Sequence, residues 1–597
     1  MVYRKDIDAL RAISVIAVIF FHLGFLKNGY LGVDVFFVIS GYLITSIIKG
    51  EINKGQFSFW KFYERRIRRI LPALSFTVVA ALIFGYYLML PDDLENLAQS
   101  VIASNLSINN VLMLITSADY WAVKNDYKPL MHTWSLGIEE QFYLIYPLII
   151  FYLSKWKDTI LLLFLVIISV LSVSLFLFYG STAARFYLLP YRFFELALGG
   201  IFAITNVAYP ISYSNRFKWF FLAALSYMLV SGFGENRIDV ILTVLFSLGY
   251  LAAFNKEGQS HIQFSVFFEN KILLFLGKIS FSLYLWHQIV FAFARYSFVE
   301  EITPMNQIPI QVLTFSLSVL SYYLIENPFR NKKVLSNTFV FSVLIICILG
   351  SSLFAGYLYA IGGIHKDFKS LSLKKQEFSF QKLNLLSSKD NIHIHYNEKV
   401  RELDKPFSTS NSKKILVIGN SFGRDIVNVL LETELKDSIE ISYLDDQTEM
   451  NSEIEQRIIN AYAIFYCAKD FVSKNEFKRR YVLDNSAWNK LICVGTKDFG
   501  NSNGIHFARY QSIQNFSKYY ISPKKGISQL ERKLKKEWGA KYLSLLDLIS
   551  DSKGNVRAFT AQGKFISQDT VHFTQDGARY FANMLFKKLQ SLILEAH

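Results

Sequence analysis

Eleven apolar stretches constrain this chain more than any other feature. They fall near residues 8–26, 31–49, 71–90, 138–154, 159–178, 193–208, 218–232, 238–254, 273–296, 308–326 and 337–358. A run of roughly 20 mostly apolar residues spans a bilayer as a helix. In lipid the backbone must satisfy its own hydrogen bonds. The first part of the chain is therefore expected to be a polytopic α-helical membrane domain of about 11 helices. A mean hydropathy of +0.26 suits such a domain joined to a soluble appendage.

The net charge of +15 does not point to nucleic acid, because much of the Lys and Arg lies in short loops beside apolar segments. Even-numbered loops hold Lys54, Lys61, Arg65, Arg66, Arg68 and Arg69, then Lys155 and Lys157, Arg216 and Lys218, Lys271, and Arg330, Lys332 and Lys333. Odd-numbered loops hold acids: Asp92, Asp93 and Glu95, then Glu235 and Asp239, then Glu300 and Glu301. The positive-inside rule puts the N-terminus in the cytoplasm and, with an odd number of spans, everything after about residue 358 outside it. Asp6, Asp8 and Arg11 interrupt the start, which argues against a cleavable signal peptide. Three unclustered cysteines support neither a disulfide framework nor a zinc site, so no metal is expected.

Within the apolar part, Arg11 and His22 are eleven residues apart. That is close to three helical turns, so they share one face about 16 Å apart along the axis. An ionisable pair inside a membrane helix faces protein or water and marks a functional site by default. The structural alternative is an ion pair within the bundle. His22 is the candidate base: a neutral imidazole could deprotonate an acceptor hydroxyl or carry the acyl group transiently. Arg65-Arg66-Ile-Arg68-Arg69 puts four guanidinium groups at a membrane surface. Two readings stand, lipid phosphate anchoring and capture of an anionic donor. Glu139 and Glu140 open the expected fourth helix, where the helix dipole favours acids. Either could also pair with Arg185 or Arg192, or orient His22. His287 lies mid-span, and a hydrogen-bonded core role is preferred to a catalytic one.

After a polar stretch, 359–411, read as a linker or partly folded extension, the pattern changes. Lys413–Gly419, Ile439–Leu444, Tyr462–Cys467, Leu491–Gly495 and Tyr542–Leu546 read as strands separated by helical stretches. That alternation predicts an α/β/α domain with a mostly parallel sheet over 412–597. Ser421 follows the first strand, at the edge of the sheet where α/β sites lie. Asp569 and His572 are three apart, so Asp569 can hold the imidazole while its other nitrogen faces Ser421. The bland alternative is a Ser421 that caps a helix.

Several of these blocks carry a resemblance. The Arg11-(ten residues)-His22 spacing, Gly32-Val-Asp-Val-Phe-Phe-Val-Ile-Ser-Gly-Tyr-Leu43, Trp134-Ser-Leu-Gly-Ile-Glu-Glu-Gln-Phe-Tyr143, Arg192-Phe-Phe-Glu195 and Leu283-Tyr-Leu-Trp-His287 resemble the acyltransferase-3 family. The resemblance covers about 1–335, with an additional membrane helix at 336–358. It implies a membrane enzyme that moves acetyl onto extracytoplasmic carbohydrate. Acetyl-coenzyme A is the implied donor, with nothing bound as a cofactor, and Arg11, Arg68 and Arg69 are the implied donor-side residues. Glu139, Glu140, Arg192 and His287 are implied support.

The C-terminal part, with Gly419-Asn-Ser421 and Asp569-Thr-Val-His572, resembles the SGNH hydrolase and acyltransferase family. That implies Ser421, Asp569 and His572 as catalytic. It leaves the oxyanion donor among the Ser421 backbone, Asn501 and Asn503, because Asp498 stands where Asn is expected and cannot donate when ionised. Together the two resemblances imply an O-acetyltransferase of a bacterial cytoplasmic (inner) membrane. Its partners would be the lipid bilayer, acetyl-coenzyme A and a surface glycan, with no nucleic acid. Lipopolysaccharide O-antigen is the first choice of acceptor and peptidoglycan the second. A glycan esterase, or a transporter with an inactive hydrolase-like domain, is the alternative.

Overall fold

The computed structural model describes residues 3–89, 91–117, 125–205, 211–253, 270–297, 304–361, 396–409, 411–468, 473–481, 484–500, 520–523, 526–561, 564, 566–567 and 571–594. The chain divides into two compact units, Met1–Ile364 and His365–His597.

In the first unit each of the eleven apolar stretches carries helix. These are α1 Lys5–His22, α2 Gly32–Asn53, α3 Phe59–Leu88, α4 Thr133–Leu153, α5 Asp158–Phe178, α6 Leu189–Thr205, α7 Ile211–Val230, α8 Asn236–Ala252, the pair α9 Lys271–Lys278 and α10 Ser280–Ser297, α11 Pro304–Ser321, and α12 Asn337–Ala360. Among the described residues seven helices are long and apolar enough to cross a membrane, and the pair α9–α10, bent by 69°, makes an eighth. The other three fall short for plain reasons: α1 starts with Lys5, Asp6, Asp8 and Arg11, and the apolar run of α7 and the whole of α8 are short. Along α5, Leu161, Leu165, Ser169 and Ser172 are buried, while Leu163, Ile167, Val170 and Leu171 are exposed. Such an exposed apolar face suits lipid rather than water.

Small residues set the closest approaches. A Cβ on Gly199 would lie 2.2 Å from the Val38 carbonyl oxygen, and one on Gly41 would lie 1.8 Å from that of Leu196. These positions bring α2 and α6 backbone to backbone, as small residues do where helices pack without a hydrophobic drive. A buried ion cluster pins the same pair. Arg192 donates to Asp34 Oδ1 at 2.5 Å and to Glu195 Oε1 at 2.8 Å. A second buried guanidinium, Arg68, donates to the carbonyls of Phe329 and Leu335, each at 2.7 Å, and to Asn337 Oδ1. It fastens α3 to the entry of α12. The helix α12 belongs to this bundle: Asn105 Nδ2 donates to Ser351 and Ser352 Oγ at 2.9 and 2.8 Å.

The second unit holds a five-stranded parallel sheet of β1 Lys413–Ile418, β2 Ile439–Leu444, β3 Ala463–Tyr466, β4 Leu491–Val494 and β5 Tyr542–Leu543, in the order β2-β1-β3-β4-β5. The expected strands are all present, some shorter at their ends. β1 carries four consecutive fully buried residues, Ile415–Ile418, as a strand covered on both faces requires. The order reverses beside β1, so a crevice opens at the carboxyl ends of β1 and β3.

Gly199→Val should fail to accumulate as extractable, monodisperse membrane protein, because its side chain meets backbone that cannot yield. Gly350→Val, whose Cβ meets nothing within 4 Å, should accumulate normally. Equal recovery of the two, measured by size exclusion of detergent extracts, would contradict the α2–α6 packing.

Candidate active site

Two sites emerge, one in each unit. In the first unit a cleft of about 810 Å³ is lined by Arg11, Arg66, Arg69, Glu139 and Tyr143 together with apolar residues of α2, α3, α4 and α10. Arg11 reaches it from α1, with Asp8 Oδ1 at 3.5 Å. Arg66 and Arg69 come from the first third of α3, one turn apart, and neither forms an ion pair among the described residues. Glu139 accepts from Ser40 Oγ at 2.9 Å and Tyr143 OH at 3.1 Å. It takes these partners rather than Arg185 or Arg192. It also sits well inside α4, which starts at Thr133, so the helix dipole does not explain it. Glu140, its neighbour, is not among the residues lining the cleft.

The basic block therefore splits by helix geometry. Arg66 and Arg69 face the cleft, whereas Arg68 points away into its carbonyl cage. Arg192 likewise lies outside the cleft, in its cluster with Asp34 and Glu195. Arg66 lies over the Phe62 and Tyr143 rings, at 5.8 and 5.7 Å from their centres. Two guanidiniums without an ion pair among the described residues, beside an apolar wall, suit a ligand with anionic groups at one end and a small apolar group at the other.

His22 ends α1, beyond the cleft. Its ring lies 5.2 Å from that of His287, and the His287 ring lies 5.4 Å from that of His132. His287 Nδ1 donates to the Tyr284 carbonyl at 2.6 Å, which leaves Nε2 as an acceptor. That Nε2 and the Nδ1 of His22 have no partner among the described residues. Bare nitrogens inside a bundle cost stability unless a substrate or water meets them. Arg295 donates to the His22 carbonyl at 2.6 Å and fixes this end of α1. Arg11 and His22 thus share a helix face turned to α10, yet only Arg11 lines the cleft.

In the second unit, Ser421 opens the helix α13 Ser421–Leu431 at the crevice beside β1. Its Oγ lies 2.9 Å from His572 Nε2. The cap of α13 is Asn420, whose side chain accepts from the Phe422 N–H at 3.1 Å. Ser421 is thereby free of the capping role. As the first helical residue, its N–H is one of those a helix leaves without an intrahelical acceptor. Gly419 is required by close approach: a Cβ there would sit 1.8 Å from the Cys467 carbonyl oxygen. Asp569, Asn501 and Asn503 lie outside the described residues. Asp498 is buried and accepts from the Gly500 N–H at 2.9 Å, a loop-forming contact.

Behind the pair lies a polar network that the sequence did not reveal. Asp425, one turn along α13 from Ser421, forms a fully buried ion pair with Lys497. It also accepts from Asn397 Nδ2 at 2.6 Å and from the Phe573 N–H at 3.2 Å. Asn397 in turn donates to the Ser421 carbonyl at 2.9 Å. The Lys497 ammonium sits 4.5 Å from the Phe422 ring centre and 4.2 Å from that of Phe573. One carboxylate–ammonium pair therefore holds the residues that follow Ser421 and His572. The nearby Cys467 thiol is no rival nucleophile. Burial pushes its pKa up to about 12, against the weaker opposing pull of Lys497. Among the described residues no group of His, Cys, Asp and Glu is placed to hold a metal ion.

Residues 4–356 match the acyltransferase-3 family, described as an acyltransferase domain. The O-acetyltransferase OatA of Staphylococcus aureus (strain NCTC 8325 / PS 47) is 31% identical over 405 residues, 62% of this chain and 65% of that protein. The chain thus spans about 65% of the length of the OatA proteins it matches. The S. aureus (strain MSSA476) protein SAS0844 is 30% identical over 470 residues, 71% of this chain and 75% of its own length. The periplasmic domain of the Salmonella ser. Paratyphi A lipopolysaccharide acetyltransferase covers 34% of this chain and 98% of that domain, at 13% identity and a TM-score of 0.26.

Lys497→Met should destabilise the second unit by about 3–5 kcal/mol, since it strands a buried carboxylate. Asp425→Asn/Lys497→Met should recover most of that loss. Urea unfolding of residues 365–597 checks both. Equal losses in the single and double variants would contradict a mutually neutralising pair.

Proposed function

Because the chain belongs to the acyltransferase-3 family, we propose that it is a multi-pass membrane O-acetyltransferase that passes acetyl from cytoplasmic acetyl-coenzyme A, by way of Ser421, to a hydroxyl of a surface glycan. The observation that carries this reading is the Ser421–His572 pair at the sheet crevice, with the capping role taken by Asn420. The cleft supports it from the donor side, because Arg66 and Arg69 suit the phosphates of coenzyme A.

The chemistry balances in three acyl transfers. In the first, the hydroxyl of an acyl-carrier alcohol attacks the acetyl carbon, the carrier's ester bond forms and the thioester C–S bond breaks. The hydroxyl proton passes by way of the His22 imidazole to the departing thiolate, which leaves as the thiol. At the second site the acetyl is held as an ester on Ser421 Oγ. In accepting it, Ser421 gives its proton to His572, which returns it to the oxygen of the departing acyl carrier. The glycan hydroxyl then gives its proton to His572 and attacks. The Ser421 ester bond breaks, and His572 returns the proton to Ser421 Oγ.

In this reading the second unit is an SGNH-type domain, with Asp569 orienting His572. Ser421 N–H with Asn501 or Asn503 would supply the oxyanion donors. The N-terminus is cytoplasmic, the second unit extracytoplasmic, and the membrane the bacterial inner membrane. That orientation takes α1, α7 and α8 as spans besides the eight apolar ones. The loop charges favour it.

Ser421→Ala and His572→Ala should each abolish glycan O-acetylation while the protein still accumulates in the membrane. A triad nucleophile lost to Ala removes rate on the order of a million-fold. A lost helix cap costs only about 1 kcal/mol and spares the chemistry. Ester-linked acetate measured separately on O-antigen and on peptidoglycan, from cells carrying each variant, reads both outcome and acceptor. Undiminished acetate in Ser421→Ala would remove Ser421 from the pathway.

A further inference from the structure

The cleft and the histidines are adjacent but not joined, and one side chain stands between them. Tyr284 of α10 lines the cleft, and Ser135 of α4 lies beside it. The same ring lies 5.4 Å from the His132 ring and 5.4 Å from the His287 ring. Its hydroxyl is 2.6 Å from Ser135 Oγ and donates to the His132 carbonyl at 2.9 Å. Tyr284 is only partly buried, whereas His132 and His287 are buried behind it. Arg11 opens on the near side, and His22, about 16 Å further along α1, stands on the far side.

We infer that Tyr284 is the gate between the donor cleft and the histidine chamber, and that its ring limits the length of the acyl group that reaches His22. This rests on the function proposed above, in which His22 acts on the acyl carbon. A thioester arm lying in the cleft has its phosphates at Arg66 and Arg69 and its acyl end at Tyr284. For the acyl carbon to meet His22 the ring must swing aside, which costs the contacts with Ser135 and the His132 carbonyl. His287, whose ring lies 5.4 Å from that of Tyr284 and 5.2 Å from that of His22, then links the space the ring leaves to His22. A two-carbon acyl group needs a small displacement of the ring. Each further methylene needs more room, and one methylene at a shaped pocket is commonly worth 10–200-fold in discrimination.

The test compares acetyl- and butyryl-coenzyme A as donors to membrane vesicles holding the full chain, reading ester-linked acyl on the glycan. Wild type should favour acetyl by at least about tenfold. Tyr284→Ala should bring the ratio within about threefold by raising the butyryl rate, not merely by lowering the acetyl rate. Tyr284→Leu carries the same test if the alanine variant does not accumulate, and should lie between the two. An acetyl preference unchanged in an accumulating variant overturns the gate. A butyryl rate that never rises overturns it too. His22→Ala separates this from the underlying reading. If that variant acetylates at the wild-type rate, His22 is not the base, while the Tyr284 ratio still reports on the gate.

Discussion

Burying a guanidinium among apolar helices is costly unless its donors are met, and the first unit is arranged around how that cost is handled. Arg192 and Arg68 are held by buried acceptors, one by Asp34 and Glu195, the other by two carbonyls and an asparagine. These two fix helices to one another. Arg66 and Arg69 have no ion-pair partner among the described residues, and they open into the cleft. Neighbouring members of one basic block thus divide into a structural residue and cleft-facing ones. The 3.6-residue turn is enough to do this, since Arg68 lies about 160° round α3 from Arg66 and about 100° from Arg69.

The second unit handles a buried charge in another way. Asp425 and Lys497 neutralise each other beneath the Ser421–His572 pair. Asp425 also takes the N–H that follows His572, and the ammonium lies against both phenylalanine rings that follow the two site residues. Ser421 and His572 come from distant parts of the chain, so nothing local sets their separation. The ion pair, with Asn397 holding the Ser421 carbonyl, supplies that constraint. Rigid support of this kind is what a nucleophile and its base need to stay in register.

Much of this was legible in the sequence, for definite reasons. The apolar runs marked helices because a membrane helix is written in consecutive residues. Of the eleven expected spans, α1, α7 and α8 are helices that fall short of a span by length or charge, because α1 carries charged residues in its first turns and the apolar runs of α7 and α8 are short. The strands were legible as short apolar runs between turns. Ser421 stood out because it follows a strand, and His572 because of the acid three residues before it. What was hidden depended on contacts between distant segments. Arg66 could not be told from Arg68 without knowing which face of α3 meets the cleft. Asn397 fell in a polar stretch that reads as a linker, and Lys497 in a loop. Tyr284 fell within the Leu283–His287 block, but its place beside the cleft follows only from neighbours on α4. Glu139 was visible as an odd acid, but its partners on α2 and α4 were not.

In the proposed function the two sites act in series, acetyl from the membrane cleft reaching Ser421. The most direct measurement follows isotope-labelled acetyl from acetyl-coenzyme A, supplied on the cytoplasmic side of vesicles, to the Ser421 peptide by mass spectrometry. The account predicts labelled Ser421 in the wild-type chain and none in Arg11→Ala. A small acetyl ester supplied to the second unit should still label Ser421 in both. Equal labelling from acetyl-coenzyme A in Arg11→Ala would contradict it, and so would label reaching the glycan in Ser421→Ala.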